Sequence, residues 1–416
     1  PPRSTLFPYT TLFRSANAEN RLASRTAAGE RGGVAGGFQT GLDGLLARGG
    51  LPRGARLGAV AHAASVHAGG AHALDLLARA AGRRLAAVFT PEHGLSATAG
   101  PGEAVASGRH PDLDIPVFSL YGDHRRPTPE MMASVDAIVF DLQDIGVRCY
   151  TYVATLRAVL EAAAGAGVAV IVADRPVPLP HTVDGPMLDP ACGSFVGSIP
   201  APLVYGMTPG ETALWLRDVL RLDLDLRVAS MHGWRPGERP TGRGAPPWVP
   251  PSPGIRSWES ATAYAATVWT EALPALDCDR AGLIPFQVLG ASWMDPDALL
   301  RRLRRPPPGV RLHRHRYAVR GVPAAGLRLA VTDPAAFRPA TLAAALLTAV
   351  EAVHGSDRLW AGGGARPGFF DQLAGTAAFR RDLHAGRRPS AIATGWRRDS
   401  RAFAASRDAA LLYRRC

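Results

Sequence analysis

Residues 151–176 read TYVATLRAVLEAAAGAGVAVIVADRP. The first half spaces apolar side chains as one face of a helix and runs into Gly165 and Gly167, a helix closed by glycine. The second half, VAVIVAD, is an unbroken Val, Ile and Ala run that stops at a carboxylate, Asp174. A strand apolar on both faces and entered from a helix is what a parallel sheet covered on both sides demands. Three other stretches end in acids: LAAVFTPEHG carries Glu92, AIVFDLQDIG carries Asp141 and Asp144, and YGMTPGE ends at Glu211. In an open α/β sheet the loops beyond the carboxyl ends of the strands form the ligand crevice, so these acids are expected to converge. The expected fold class is α/β, a Rossmann-like, mostly parallel sheet with helices on both faces.

Working outward, ARLGAVAH (55–62) predicts a buried first strand, AHALDLLARAAG (71–82) a helix, and DIPVFSLYG (114–122) an edge segment. PTPEMMASV starts a helix at a proline. Residues 235–254 are too rich in Pro and Gly for regular structure and mark a boundary or a wall of the cleft. Beyond them the pattern changes: 311–321 and 325–333 read as strands, 341–355 as an amphipathic helix, and 366–386 with 392–413 as shorter helices. The expected division is a leader over 1–37, a Rossmann-like catalytic domain over 38–252, and a smaller α+β domain over 253–416.

The leader begins PPRSTLFPYTTLFRS, without the apolar core of a signal peptide and unlike the rest of the chain. It resembles adapter-derived sequence, so the native amino terminus is expected to be missing and the Gly-rich remainder to be disordered. Export therefore stays open, with an extracytoplasmic location favoured. The net charge of +12 comes from arginine alone, since lysine is absent. With abundant Ala, Gly and Pro, that is the signature of a GC-rich genome, and no nucleic-acid-binding motif accompanies it. Mean hydropathy is near zero and no long apolar run suggests a membrane span.

Cys149, Cys192, Cys278 and Cys416 lack metal or disulfide spacing, so buried thiols are expected and no metal or organic cofactor is implied. His313 and His315 alternate on one strand face without further ligands and read as part of an exposed basic strand. GxSxG, GxxxxGK[ST] and a GxGxxG after a strand are all absent, which removes the serine-hydrolase, P-loop and dinucleotide readings.

PEHG (91–94), FSLYG (118–122), VFDLQDIGVRCYTY (139–152), ADRPVPLP (173–180), GPML with SFVG, YGMTPGE (205–211), PSPGI and FDQLAGT (370–376) occur in this order. Together they closely resemble the NamZ-type exo-β-N-acetylmuramidase family, over nearly the whole chain from Thr40. The resemblance implies a cleft between two domains and release of terminal N-acetylmuramic acid from the non-reducing ends of peptidoglycan fragments.

Glycoside hydrolysis generally uses one carboxylic acid to protonate the leaving oxygen and a second carboxylate as nucleophile or base. Glu92, directly after a buried strand, is the expected acid or acid/base, with Asp141 or Asp144 as the second carboxylate or as a hydroxyl ligand. Asp174 with Arg175 reads equally as an ion pair at the strand end. Arg148 or Arg175 offers the guanidinium that a lactyl carboxylate calls for. His93, Tyr152, Glu211 and Glu271 complete the expected substrate contacts, although Glu211 also suits a helix amino terminus.

The chain departs from the family pattern at His62, Val177 and Tyr205. Over residues 271–285, EALPALDCDRAGLIP stands in place of an EGTN…SEGRGT-like stretch. Glu271 and Arg280 match there, and Asp277 lies near the second expected Glu. A cell-wall-sugar binder on the same scaffold, diverged in that segment, is the alternative to a glycosidase acting on MurNAc-GlcNAc.

Overall fold

The computed structural model describes residues 37–361 and 364–413; the leader expected over 1–37 lies outside them apart from Gly37. The strands are β1 (Leu57–Val60), β2 (Leu85–Thr90), β3 (Gly108–Arg109), β4 (Pro116–Ser119), β5 (Ala137–Phe140), β6 (Ala169–Ala173), β7 (Asp184–Met187), β8 (Pro202–Val204), β9 (Leu226–Ala229), β10 (Val288–Ala291), β11 (Val310–Val319) and β12 (Val322–Val331). The helices are α1 (Gly41–Ala47), α2 (Ala73–Ala81), α3 (Pro129–Met132), α4 (Tyr152–Ala166), α5 (Pro209–Val219), α6 (Trp258–Thr267), α7 (Pro296–Arg302), α8 (Pro339–His354), α9 (Ser356–Leu359), α10 (Pro367–Ala374), α11 (Ala378–His384) and α12 (Pro389–Arg407).

The main sheet runs β3-β4-β2-β1-β5-β6-β9, parallel throughout except for the short β3 edge hairpin on β4. Side chains alternate across it. Val60, Phe89, Phe140 and Val172 face one layer, while Ala59, Val88, Val139 and Ile171 face a second apolar cluster with Leu42 of α1 and Leu74 and Leu77 of α2. Gly41 is what lets α1 sit so close, because a Cβ there would stand 2.1 Å from the Ala229 carbonyl oxygen. The chain winds from β1 outward through β2 and β4, then returns to β5 and winds the other way, so the topological switch lies between β1 and β5.

The smaller sheet is antiparallel, β10-β12-β11, with α6 and α7 packed against it, while α8 packs on those two helices and on β7 and β8. One apolar core runs without a break from Phe140 and Tyr152 of the main sheet region to Leu327 of β12, Leu347 of α8 and Phe370 of α10. Residues 235–254 form no helix or strand. His313 is exposed and His315 half-buried on β11. Cys149 and Cys278 are buried free thiols, and Cys192 is half-buried.

The end of the chain corrects the reading of 392–413 as shorter helices. Pro389 opens a single 19-residue helix, α12, whose Ile392, Ala393, Phe403 and Arg407 point inward. Charged residues on the outer face (RRDSR) conceal that continuity in the sequence. Arg407 then donates to the carbonyls of Tyr205, Gly206 and His181, tying the last helix to the first lobe.

Candidate active site

Glu92 sits in the turn that follows β2, and its side chain is only 6% exposed. Donors from two separate segments meet on it. The Gly102 N–H reaches Oε1 at 2.7 Å and the Thr151 hydroxyl reaches Oε2 at 2.7 Å, while the nearby charge helps raise the Tyr121 phenol. Thr151 occupies the N-cap position of α4 but makes no capping bond, so its hydroxyl is committed to the carboxylate instead. The turn is held by His93, whose backbone lies in the left-handed region at φ 73° and whose Nδ1 donates to the Ala99 carbonyl at 2.7 Å. A branched ring at positive φ costs energy, and such outliers persist where the surroundings fix a functional geometry.

The first lobe meets the smaller one through aromatic rings. An aromatic series connects the two sides: Tyr152 to Tyr150 at 4.8 Å between centroids, Tyr150 to Tyr264 at 5.8 Å, and Tyr264 to Phe286 at 4.9 Å. Phe286, like His93, holds positive φ, at 62°. The Arg280 guanidinium stacks 5.3 Å from the Phe286 ring and ion-pairs with Glu271. Burial pushes the Glu271 carboxyl up, Arg280 opposes that, and the charge of Glu92 adds to the rise. The segment 271–285, which departs from the family pattern, thus still carries a carboxylate paired with Arg280.

The other expected site residues lie deeper. Asp141 is 1% exposed; both its oxygens bond Arg175, and Oδ2 is 3.0 Å from His67 Nε2. Burial alone would raise its pKa, but Arg175 and His67 outweigh that and hold it well below the ordinary carboxylate range. Arg175, also buried, uses its remaining reach on the Val66 carbonyl at 3.0 Å. Asp144 accepts from the Ile145 and Gly146 N–H groups at 2.5 and 3.0 Å and from the Tyr205 hydroxyl at 3.3 Å. Burial pushes its carboxyl up to about 6 in spite of these bonds. It lies close enough to Tyr150 and Tyr152 to raise both phenols.

Arg148 is 0% exposed, and its Nη atoms donate to the carbonyls of Pro186, Ala201, Leu373 and Ala374. It clamps the FDQLAGT loop to the first lobe and, fully buried, is out of reach of a substrate carboxylate, which corrects its expected role. The same correction applies to Arg175. Glu211 is also interior: it closes a capping box with Thr208 and accepts from the Leu412 and Tyr413 N–H groups at 2.8 and 3.2 Å. Asp174 makes no ion pair with the Arg175 guanidinium, and its Oδ1 accepts instead from the Arg175 backbone N–H at 3.0 Å. Its oxygens accept from the Thr208 hydroxyl at 2.7 Å and the Gly210 N–H at 2.8 Å. Tyr152 donates its hydroxyl to the Pro251 carbonyl and lies edge-on to His62 at 5.0 Å.

Of the residues expected from sequence, Glu92 and His93 share the turn after β2 and Glu271 lies beside Arg280, whereas Tyr121, Thr151 and Arg125 are not among those expected. The first two lie inside quoted motifs, and the available signal was a threonine at a helix start followed by no capping partner three residues on. Arg125 has a place of its own: its guanidinium sits 4.1 Å from the Tyr121 ring centroid and 5.0 Å from that of Phe195.

Comparison with known proteins agrees with this architecture. The family model described as "Exo-beta-N-acetylmuramidase NamZ, N-terminal" matches residues 57–259, and its C-terminal counterpart matches 262–413. The peptidoglycan beta-N-acetylmuramidase NamZ of Bacillus subtilis (strain 168) is 32% identical over 388 residues, covering 90% of this chain and 91% of that protein. A crystal structure of a DUF1343 family protein from Bacteroides fragilis superposes with a TM-score of 0.81 at 28% identity, over 91% of this chain and 99% of the other. A second DUF1343 family protein from that organism gives a TM-score of 0.69 at 24% identity, with the same coverage, and speaks for the fold alone. From Leu57 to Tyr413, in both lobes, this chain belongs to the NamZ exo-β-N-acetylmuramidase family.

Proposed function

We propose that this protein is an exo-acting glycosidase that releases N-acetylmuramic acid from the non-reducing ends of peptidoglycan fragments, with the disaccharide MurNAc-GlcNAc as its simplest substrate. The observation that carries the assignment of chemistry is the Glu92 carboxylate, set in the turn after β2 and held by donors from two separate segments. A carboxyl group positioned this firmly can protonate a glycosidic oxygen and afterwards accept a proton from water. Glu271, brought across the aromatic series by the smaller lobe, is the opposing carboxylate in this reading. Asp141 and Asp144 shape the loop beneath: Asp141 neutralises buried Arg175, and Asp144 ties its own turn to Tyr205. The two lobes, taken as residues 38–252 and 253–416, supply one glutamate each.

The test is turnover of MurNAc-GlcNAc and of a chromogenic β-MurNAc glycoside by the protein and its Glu92→Gln variant. Loss of a general acid lowers kcat by about 10²- to 10⁴-fold. A Glu92→Gln variant as fast as the parent overturns the assignment of Glu92. A parent that binds MurNAc yet releases none from either substrate overturns the glycosidase reading.

A further inference from the structure

A cleft of about 630 Å³ opens between α4, the Leu188–Pro200 loop and the loop after β4, and Thr151, at the start of that helix, bonds Glu92. Arg125, Arg126 and Arg157 line it, and Glu161 is the one acid among its lining residues. Arg157 is already committed to Glu161 at 2.7 Å and to the Ser198 carbonyl. Arg125 differs: it is exposed, and among the described residues no ion pair includes it. Its guanidinium covers the Tyr121 and Phe195 rings, which are themselves 5.3 Å apart. Stacking fixes the plane of a guanidinium and leaves N–H groups along its edge, the geometry that grips a carboxylate with two parallel bonds. The Tyr121 ring beneath it lies near enough to Glu92 for that carboxylate to raise the phenol, so one side chain neighbours both the cation and the proposed catalytic acid.

We propose that Arg125 reads the lactyl carboxylate of muramic acid, the group that separates this sugar from glucosamine; the proposal rests on the glycosidase reading above. The lactyl ether is borne on C3 of the pyranose, on the same ring as the anomeric carbon. A ring with its glycosidic oxygen at Glu92 therefore carries its carboxylate to a neighbouring group, and Arg125 is the neighbour with free donors. Arg148 and Arg175, the other guanidinium groups near the strand ends, have theirs bonded inside the fold. When a stem peptide is attached, the lactyl carboxyl becomes an amide and the carboxylates lie farther along the cleft, toward Arg126.

The experiment compares the parent, Arg125→Gln and Arg125→Lys on four chromogenic glycosides: β-MurNAc, its neutral lactyl amide, β-GlcNAc, and β-MurNAc bearing a dipeptide. The expected result is a loss of kcat/KM on β-MurNAc in Arg125→Gln that exceeds the loss on the two neutral sugars by about 10- to 100-fold, the worth of a charge-assisted hydrogen-bonded pair. Arg125→Lys recovers part of it. Equal losses on every substrate would mean that Arg125 acts only through Tyr121 and Glu92, and would overturn the proposal. A loss confined to the dipeptide substrate overturns it too, by moving the contact to the stem peptide. Should the parent cleave none of them, the glycosidase reading falls separately. Calorimetry with free MurNAc and GlcNAc then decides the matter: a MurNAc preference that disappears in Arg125→Gln keeps the assignment, and the same preference in both proteins removes it.

Discussion

Arg175 and Arg125 stand at the carboxyl ends of the same sheet and are spent in opposite ways. Arg175 is enclosed, with Asp141, His67 and the Val66 carbonyl around it; Arg125 is exposed and stacked on two rings. In a chain whose only basic residue besides histidine is arginine, the residue type carries no information about role. What separates the two is whether the fold has already supplied a carboxylate. A buried guanidinium must be neutralised and hydrogen-bonded before the chain can close over it, whereas an exposed one can wait for a ligand.

The largest effect expected from this contrast is in Asp141→Asn. Removing one partner of a buried pair strands the other, at a cost of about 3–5 kcal/mol. Denaturant unfolding should show that loss, while Arg126→Gln in the exposed cleft should stay within about 0.5 kcal/mol. Similar midpoints for the two variants would break the comparison. Next is Gly375→Ala, which probes the second buried arginine. Gly375 sits at φ 74°, and a Cβ there would come within 2.3 Å of the Arg148 guanidinium. A cost of about 1–3 kcal/mol is expected from the strained backbone and the displaced clamp, and a neutral result would mean that Arg148 is free to move.

On the outward side, Thr151→Val should lower kcat/KM by about tenfold, the usual worth of one hydrogen bond to a charged group. Its unfolding midpoint should move little, because Thr151 makes no helix cap. A large stability loss with intact turnover would place Thr151 with the interior residues instead.

A further expected effect concerns pH. Burial pushes the Asp174 carboxyl from 3.8 up to about 7, and nearby Glu211 adds to the rise. A carboxyl raised on folding binds its proton more tightly in the native state, so stability falls as pH climbs from about 4 to about 7. Asp174→Asn should flatten that slope, and an unchanged slope would place the titration elsewhere. Asp141 works in the other direction: its contribution is present at neutral pH and is lost in acid.

The alternation of helix and buried strand, and the acids at the strand ends, were legible because parallel strands carry an unbroken apolar signature. The roles of those acids were not. Asp141, Asp174 and Glu211 read as candidate ligands because a strand end faces the crevice. Their actual partners, Arg175, Thr208 with Gly210, and the Leu412–Tyr413 backbone, lie tens to hundreds of residues away. Arg148 and Arg175 lie inside recognisable motifs, yet their donors go to carbonyl oxygens and an internal Asp. Arg125 lies in a plain loop, DHRRPTP, with no periodicity to mark it. The length of α12 was hidden because its inward side chains are few and widely spaced among charges.

The return of the carboxy-terminal segment bears on how the protein is made. Glu211 ends the first turn of α5 with Oε1 turned to the Leu412 and Tyr413 N–H groups, and Arg407 fills the carbonyls around Gly206. During synthesis the Rossmann-like lobe emerges well before these partners exist, so its last helix edge cannot be completed until residue 413 has cleared the ribosome. Domains fold as units where they can; here the first lobe lacks these bonds for as long as residues 407–413 remain untranslated. Protease probing of stalled nascent chains would see it directly, as resistance around residues 205–211 that appears only once Tyr413 is outside the exit tunnel.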